Sequence, residues 1–369
     1  MTESVRKKQA SNKATTDDKS SLKFKLLGLV IILFPVISVA AALLVSSVFI
    51  ALAGIDPMEA YTALLRGAFG STYGISQTLL RFVPLQLCGL AFLIAFKTGF
   101  FNVGTDGQFY VGAFAGTMVG IYVTGLPTAV HILLIFVAAF CVGALWAAIV
   151  GYLKVVLGIS EILNSIMLTY VAQLLVDYLI DGPLAEPGGV ISQTASIADS
   201  AKLPVMIPGT TIHYGVLVAV VLTIAVALLM KRTSLGYKMR FAGYNPSAAR
   251  FAGLNNKMLM MTAVLLSGGL AGIGGSIDAI GSLYRLAPGF SAGYGFDAIG
   301  AAVLGKLSPL GLTIACMLFA VLRVGAGSMQ RDLGVPFPLV KVIQGLIILF
   351  IIGGTFISRK IEFYTGRRY

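Results

Sequence analysis

A chain of 369 residues that is 57% hydrophobic, only 11% charged and of mean hydropathy +0.91 cannot hide its apolar surface in a soluble core. The net charge of +12 sits beside apolar runs, where basic residues set orientation, so a nucleic-acid partner is not expected. Runs of about 20 apolar residues recur, each long enough to cross a hydrocarbon core; lipid forces them to be helices. The expected fold is an all-α polytopic membrane protein of about ten transmembrane helices, with broken or re-entrant segments.

In chain order, residues 1–24 are polar, rich in Lys, Ser and Thr, and read as a disordered cytoplasmic tail. The apolar run at 26–53 is too long for a signal-peptide core and lacks a cleavage site, so it is an uncleaved first span. Residues 57–69 form a short amphipathic piece on the outer surface. Further spans are expected at 76–96, 106–124, 129–153, 162–180, 213–230, 258–281, 294–306, 309–327 and 337–357, of which 294–306 is too short to cross alone. The transmembrane domain then covers 25–358, with a cytoplasmic tail at 359–369. Lys97, Lys154, the 231–257 loop, Lys306 and both tails hold most basic residues, which places the N- and C-termini in the cytoplasm. The loop at 181–212, rich in Pro, Gly, Ser and acidic residues, is external.

Within this frame, Phe100–Gln108 is a polar, Gly-containing break. Thr105 and Gln108 have capping-box spacing, so a helix should begin near Asp106 with free N–H groups. The break reads either as an ordinary cap at the cytoplasmic interface or as an element lining a pathway. Ser160 can cap the next span and Glu161 suits its dipole, whereas Asn164 and Gln173 lie deeper. Asp177 lies near the outer end. Arg81, Arg323 and Lys341 fall inside nominal spans and need a partner or solvent, with snorkelling expected for Arg81 and Lys341. Asp106 and Asp297 look isolated, and no Asp, Glu and His chain exists to relay protons.

Gly300-x4-Gly305-Lys306 imitates a phosphate-binding loop, but Leu307 stands where the metal-coordinating hydroxyl belongs. ATP binding is therefore rejected. The small residues there, like those of Ser267–Ser276, suit close helix contacts or a re-entrant half-helix. Cys88, Cys141 and Cys316 are expected to serve packing, and His131 and His213 are too distant to form a metal site. No acid, base, nucleophile or metal constellation supports an enzyme.

The basic interruption Lys231–Lys257 reads as an ordered helix-bearing loop. Asn245 is a good N-cap, Pro246 fits the first helical position, and Gly253 stands at the C-terminal cap. A rigid basic helix on the cytoplasmic face suits docking of a soluble partner.

Together these motifs resemble the permease subunit of a bacterial ABC importer of the branched-chain amino acid, ribose and nucleoside group, with the nucleoside branch most similar. Phe101–Gln108, Ile162–Tyr170, Thr233–Gly253, Gly293–Gly305, Gly325–Gln330 and Gly334–Pro336 carry the resemblance. Asp106 stands where Glu is usual and Thr169 where Asn is usual, and Gly300 and Lys306 also depart from the pattern.

The resemblance implies a multi-pass protein of the cytoplasmic (inner) membrane that moves a nucleoside or related small polar solute inward by alternating access. The partners it implies are two ABC ATPase subunits, a second permease (a copy or a homologue), an extracytoplasmic solute-binding protein and membrane lipid. ATP and Mg²⁺ would be bound by the ATPases, leaving no cofactor and no ATPase site in this chain. Substrate-pathway residues are placed at Phe101, Asn102, Asp106, Gln108, Asn164, Gln173 and Asp297. ATPase-coupling residues are placed at Gly236, Arg240, Asn245, Pro246, Ala248, Ala249, Arg250 and Gly253. The alternatives are a sugar, riboflavin-like or amino-acid substrate in the same group, or an ion-coupled secondary transporter acting alone.

Overall fold

The computed structural model describes residues 39–336 apart from 190 and 292, together with 37, 338, 339, 341–343, 345, 346, 349, 350 and 353. The expected tails at 1–24 and 359–369 lie outside the described residues, as do parts of the spans expected at 26–53 and 337–357. Among the described residues the regular structure is helical, with only the isolated bridges Ala185–Thr194 and Val205–His213 of extended pairing.

The helices are α1 (Val39–Leu52), α2 (Pro57–Phe69), α3 (Thr72–Lys97), α4 (Thr105–Tyr122), α5 (Thr128–Val155) and α6 (Glu161–Asp181). They continue with α7 (Gly215–Arg232), α8 (Ser234–Tyr244), α9 (Pro246–Phe251), α10 (Asn256–Asp278), α11 (Tyr294–Leu304) and α12 (Pro309–Leu333). Six described helices are long and apolar enough to cross a membrane, namely α3, α5, α6, α7, α10 and α12, or seven spans if α1 and α2 count together. The expected set of about ten is thus met by six or seven among the described residues. α4 drops out because Thr105, Asp106 and Gln108 open it with polar side chains, and α11 because it has 11 residues.

The chain divides into two compact units, one of α1 with the positions from Lys341 on, the other spanning 58–340. In the first, Ala42, Ser46 and Ile50 are buried at four-residue spacing along one side of α1, while Leu44, Val48 and Leu52 are exposed. The second unit is organised around α3 and α10. The apolar window of α3 is 83% buried and that of α10 67%, against 22% for α6 and α7. Interior helices therefore meet protein on nearly all sides. Leu133, Leu145, Leu174, Leu217 and Leu228 of α5, α6 and α7 point outward, as lipid-facing side chains do.

The Gly-rich run of α10 explains the tight interior. Gly268 lies against the Gly143 backbone of α5, and Gly272 lies against the backbone of Gly112 in α4. No side chain separates these helices, so dispersion between backbones replaces interdigitated packing. At one end of the bundle, Gly243 of α8 abuts the carbonyl of Lys97 where α3 finishes. At the other end the 182–214 segment closes over α4, α5 and α10. His131 bonds Ser200 at 2.9 Å there, Ala198 donates to Gly120 O, and Leu203 donates to Ile280 O. His213 fills the space between Gly215 and Gly281. Both histidines therefore brace helix ends.

Candidate functional site

α11 is a half-helix that starts inside the bundle. α10 ends in a π-helical turn at Ala279–Leu283, and Tyr284 then takes a left-handed φ of 60° that stops the helix. The chain returns without helical structure, held by bonds from Leu286 N–H to Thr194 Oγ1 (3.0 Å) and from Gly289 N–H to Asp177 Oδ1 (3.2 Å). Phe290 packs on Tyr110 with ring centroids 4.4 Å apart. Gly293, at φ 80°, then opens α11. Tyr294 in its first turn meets Arg81, roughly 14 Å along α3, a helix of roughly 39 Å. The half-helix therefore begins with its N-terminus buried inside the bundle. It leaves through Lys306 and Leu307, both at positive φ, into Ser308-capped α12. The phosphate-loop mimic thus lies largely within α11 and its C-cap and supplies no strand-to-helix cradle.

Asp106 closes the buried end of α11. Its Oδ1 accepts from Gly295 N–H at 2.9 Å and from Ser291 Oγ at 3.2 Å, while Oδ2 accepts from Gln173 Nε2 at 2.9 Å. Asp106 also stands in the first turn of α4. The N-terminal turns of two helices, α4 and α11, thus converge on one carboxylate. Asp106 is not isolated, as its sequence neighbourhood suggested, because its partners come from α6 and the 291–295 segment.

The expected capping box does not form. Gly104 is the N-cap of α4 and no side chain caps it; the Gln108 side chain turns instead to Asn102. The Asn102 amide donates to Gln108 Oε1 at 3.0 Å and to Ser267 Oγ at 2.8 Å, and its oxygen accepts from Gly104 N–H and Gln108 Nε2. Ser160 is the N-cap residue of α6, though its side chain makes no capping bond, and Glu161 pairs with Lys154 at 2.7 Å. Phe101 packs edge-on against Phe92 and Phe96. Asn164 lies apart, half-buried, with its Nδ2 unbonded.

Asp297 belongs to a second buried group, and the view of it as isolated is likewise corrected. Arg323 of α12 reaches Asp297 at 3.6 Å and lies over the Tyr294 ring at 4.1 Å. Arg81 of α3 donates to Tyr294 Oη at 2.7 Å. Asp278, 3% exposed, lies within electrostatic reach of both guanidinium groups, and its Oδ2 has no hydrogen-bond partner. Arg81 does not snorkel. Sequence reading missed Asp278 and Tyr294, although an arginine deep in an apolar run was the signal that a buried partner existed.

The candidate coupling residues lie together at the α8–α9 end. Gly236 packs against the Leu229 carbonyl, where a side chain would collide, and so lets α8 fold back on α7. Asn245 Oδ1 accepts from Ala248 N–H at 3.0 Å, Pro246 opens α9, and Gly253 takes φ 77° after its last turn. Ala249 is buried and Ala248 half-buried, which fixes the helix to the bundle. Arg240 and Arg250 are exposed, as are Tyr244 (92%) and Phe251 (95%). Among the described residues no three His, Cys, Asp or Glu converge as a metal site.

Comparison with known proteins gives this geometry a context. Residues 74–352 match the family described as branched-chain amino acid transport system / permease component. The chain is 40% identical over 335 residues to a glucose ABC transporter permease of Haloferax volcanii, covering 88% of each chain. It is 32% identical to a guanosine ABC transporter permease of Bacillus subtilis (91% of this chain, 96% of that one). It is 30% identical to a nucleoside ABC transporter permease of Lactococcus lactis (87% and 90%). No solved structure gives a significant match. Such permeases work with ATPase and solute-binding partners and carry no ATPase site of their own. The chain therefore belongs to the branched-chain amino acid transport system permease family, as a multi-pass membrane subunit of an ABC transporter.

Proposed function

We propose that this subunit forms the solute pathway of a binding-protein-dependent importer in the cytoplasmic membrane and moves a nucleoside or related small polar solute inward by alternating access. Two such permeases, identical or homologous, would pair with two ATPases. ATP and Mg²⁺ would stay on the ATPases, with no cofactor in this chain. The observation that carries the reading is α9, a capped six-residue helix presenting Arg250 and Phe251 to water. An exposed aromatic beside a cation in a strongly basic loop suits an acidic groove on a soluble partner. This face would be cytoplasmic, in keeping with the basic residues around it.

Movement at α9 would pass through α8 to the end of α3, where Gly243 meets Lys97, and so to the α3–α4 link around Phe101 and Asn102. Asp106, Gln108 and Gln173 would hold the buried end of α11 in register while that link shifts. Asn164 and Asp297 remain candidates for contact with solute.

Arg250→Glu and Ala248→Pro should each leave membrane insertion intact and abolish ATP-driven uptake by the complete complex. Normal uptake together with normal ATPase co-purification in both variants would defeat the coupling role. A sugar is the second reading for the solute, favoured by the identity with the Haloferax permease. Uptake of labelled guanosine against labelled glucose by the same complex separates the two.

A further inference from the structure

The second unit contains a cavity of about 520 Å³ walled by α2, α3 and α12. That volume falls within the usual range for small-molecule sites. Its lining is unusual for a chain so poor in charge: Arg66, Arg81, Arg323 and Arg331 face it, alongside Gln77 and Ser71. The mouth lies toward the α2 end, where Arg66 and Arg331 are exposed. The floor lies deeper, at Arg81 and Arg323, and behind that floor stands Tyr294, the first residue of α11.

Resting on the permease reading above, we infer that this cavity is the solute-binding site of the subunit, and that it takes a ring rich in hydroxyl or carbonyl acceptors. Asp297 pairs with Arg323 at 3.6 Å and Asp278 lies within electrostatic reach of both floor guanidinium groups, which present N–H donors to the cavity. Asp332 offsets part of the charge at the mouth. A polyhydroxylated ring would find donors from Arg81, Arg323 and Gln77. A solute engaging Arg81 or Arg323 would also act on the partners of those arginines, Tyr294 and Asp297. Both belong to the opening turn of α11, so occupancy of the cavity is tied to the position of the half-helix.

The test uses the complete complex in proteoliposomes, with labelled guanosine and glucose as probes. Gly327→Phe directs a ring into the cavity, where a Cβ meets only the end of the Arg331 side chain, at 3.2 Å. Arg81→Met removes a floor donor. Each variant is expected to lower uptake at least about tenfold, the equivalent of one charge-assisted hydrogen bond, while binding-protein-stimulated ATP hydrolysis persists. Undiminished uptake in Gly327→Phe overturns the assignment. Loss of ATPase stimulation together with uptake in Gly327→Phe would assign the cavity to coupling and also overturn it. ATPase subunits that fail to co-purify with the unaltered chain would instead count against the permease assembly, a separate result.

Discussion

Asn102 and Asn164 are chemically identical but sit in opposite circumstances. Asn102 is fully buried, and both ends of its amide are used, tying the α3–α4 link to Ser267 of α10. Asn102→Leu would leave the Gln108 amide, the Ser267 hydroxyl and the Gly104 N–H without partners in a dry interior. A loss of about 2 kcal/mol or more is expected, read as a lowered unfolding midpoint in detergent. Asn164→Leu removes an amide whose nitrogen has no bond to lose, so that midpoint should scarcely move. An effect of Asn164→Leu on uptake would then report on the pathway, while one from Asn102→Leu would report on the fold. Sequence reading ranked both residues alike because nothing within a few positions distinguishes a saturated amide from an unsaturated one.

Among the elements, α9 and α10 differ in how far they can be read locally. The limits of α9 were legible because its cap, its Pro and its terminal Gly act within the helix itself. The run of glycines in α10 announced close contact but not the partner. The partners are α4 and α5, through Gly112 and Gly143. A Cβ on Gly112 would overlap the Gly272 Cα, an atom that cannot rotate away. Gly112→Val should therefore cost more than the roughly 1–3 kcal/mol of ordinary overpacking, and should abolish recovery of monodisperse protein in size-exclusion chromatography. Gly327→Ala, whose Cβ would meet only the end of the Arg331 side chain at 3.2 Å, should be recovered like the unaltered chain. The short α11 was also legible as a misfit, 11 residues where a crossing helix needs about 20. What caps its buried start was not.

For the molecule as a whole, the division of surface agrees with a subunit rather than a self-sufficient carrier. α5, α6 and α7 show apolar side chains outward, the α8–α9 end shows cations and aromatics, and the opposite end is covered by 182–214. A lone chain has no means of using ATP. Proteoliposomes containing this chain without ATPase and binding protein are expected to show no concentrative uptake of guanosine or glucose, and the complete complex is expected to restore it. Accumulation by the lone chain would return the ion-coupled alternative. The membrane class, the capped helix α9 and the anomalous α11 follow from composition, caps and run lengths, interactions confined to neighbouring residues, and the transport family from motifs resembling those of its members. The pairing of Asp106 with Gly295 spans 189 positions, and the Arg81–Tyr294 bond spans 213. Only the packing of α3, α4, α10 and α12 brings such groups within reach, because a buried charge is tolerated where distant elements deliver its partners, and no local pattern encodes which elements those are.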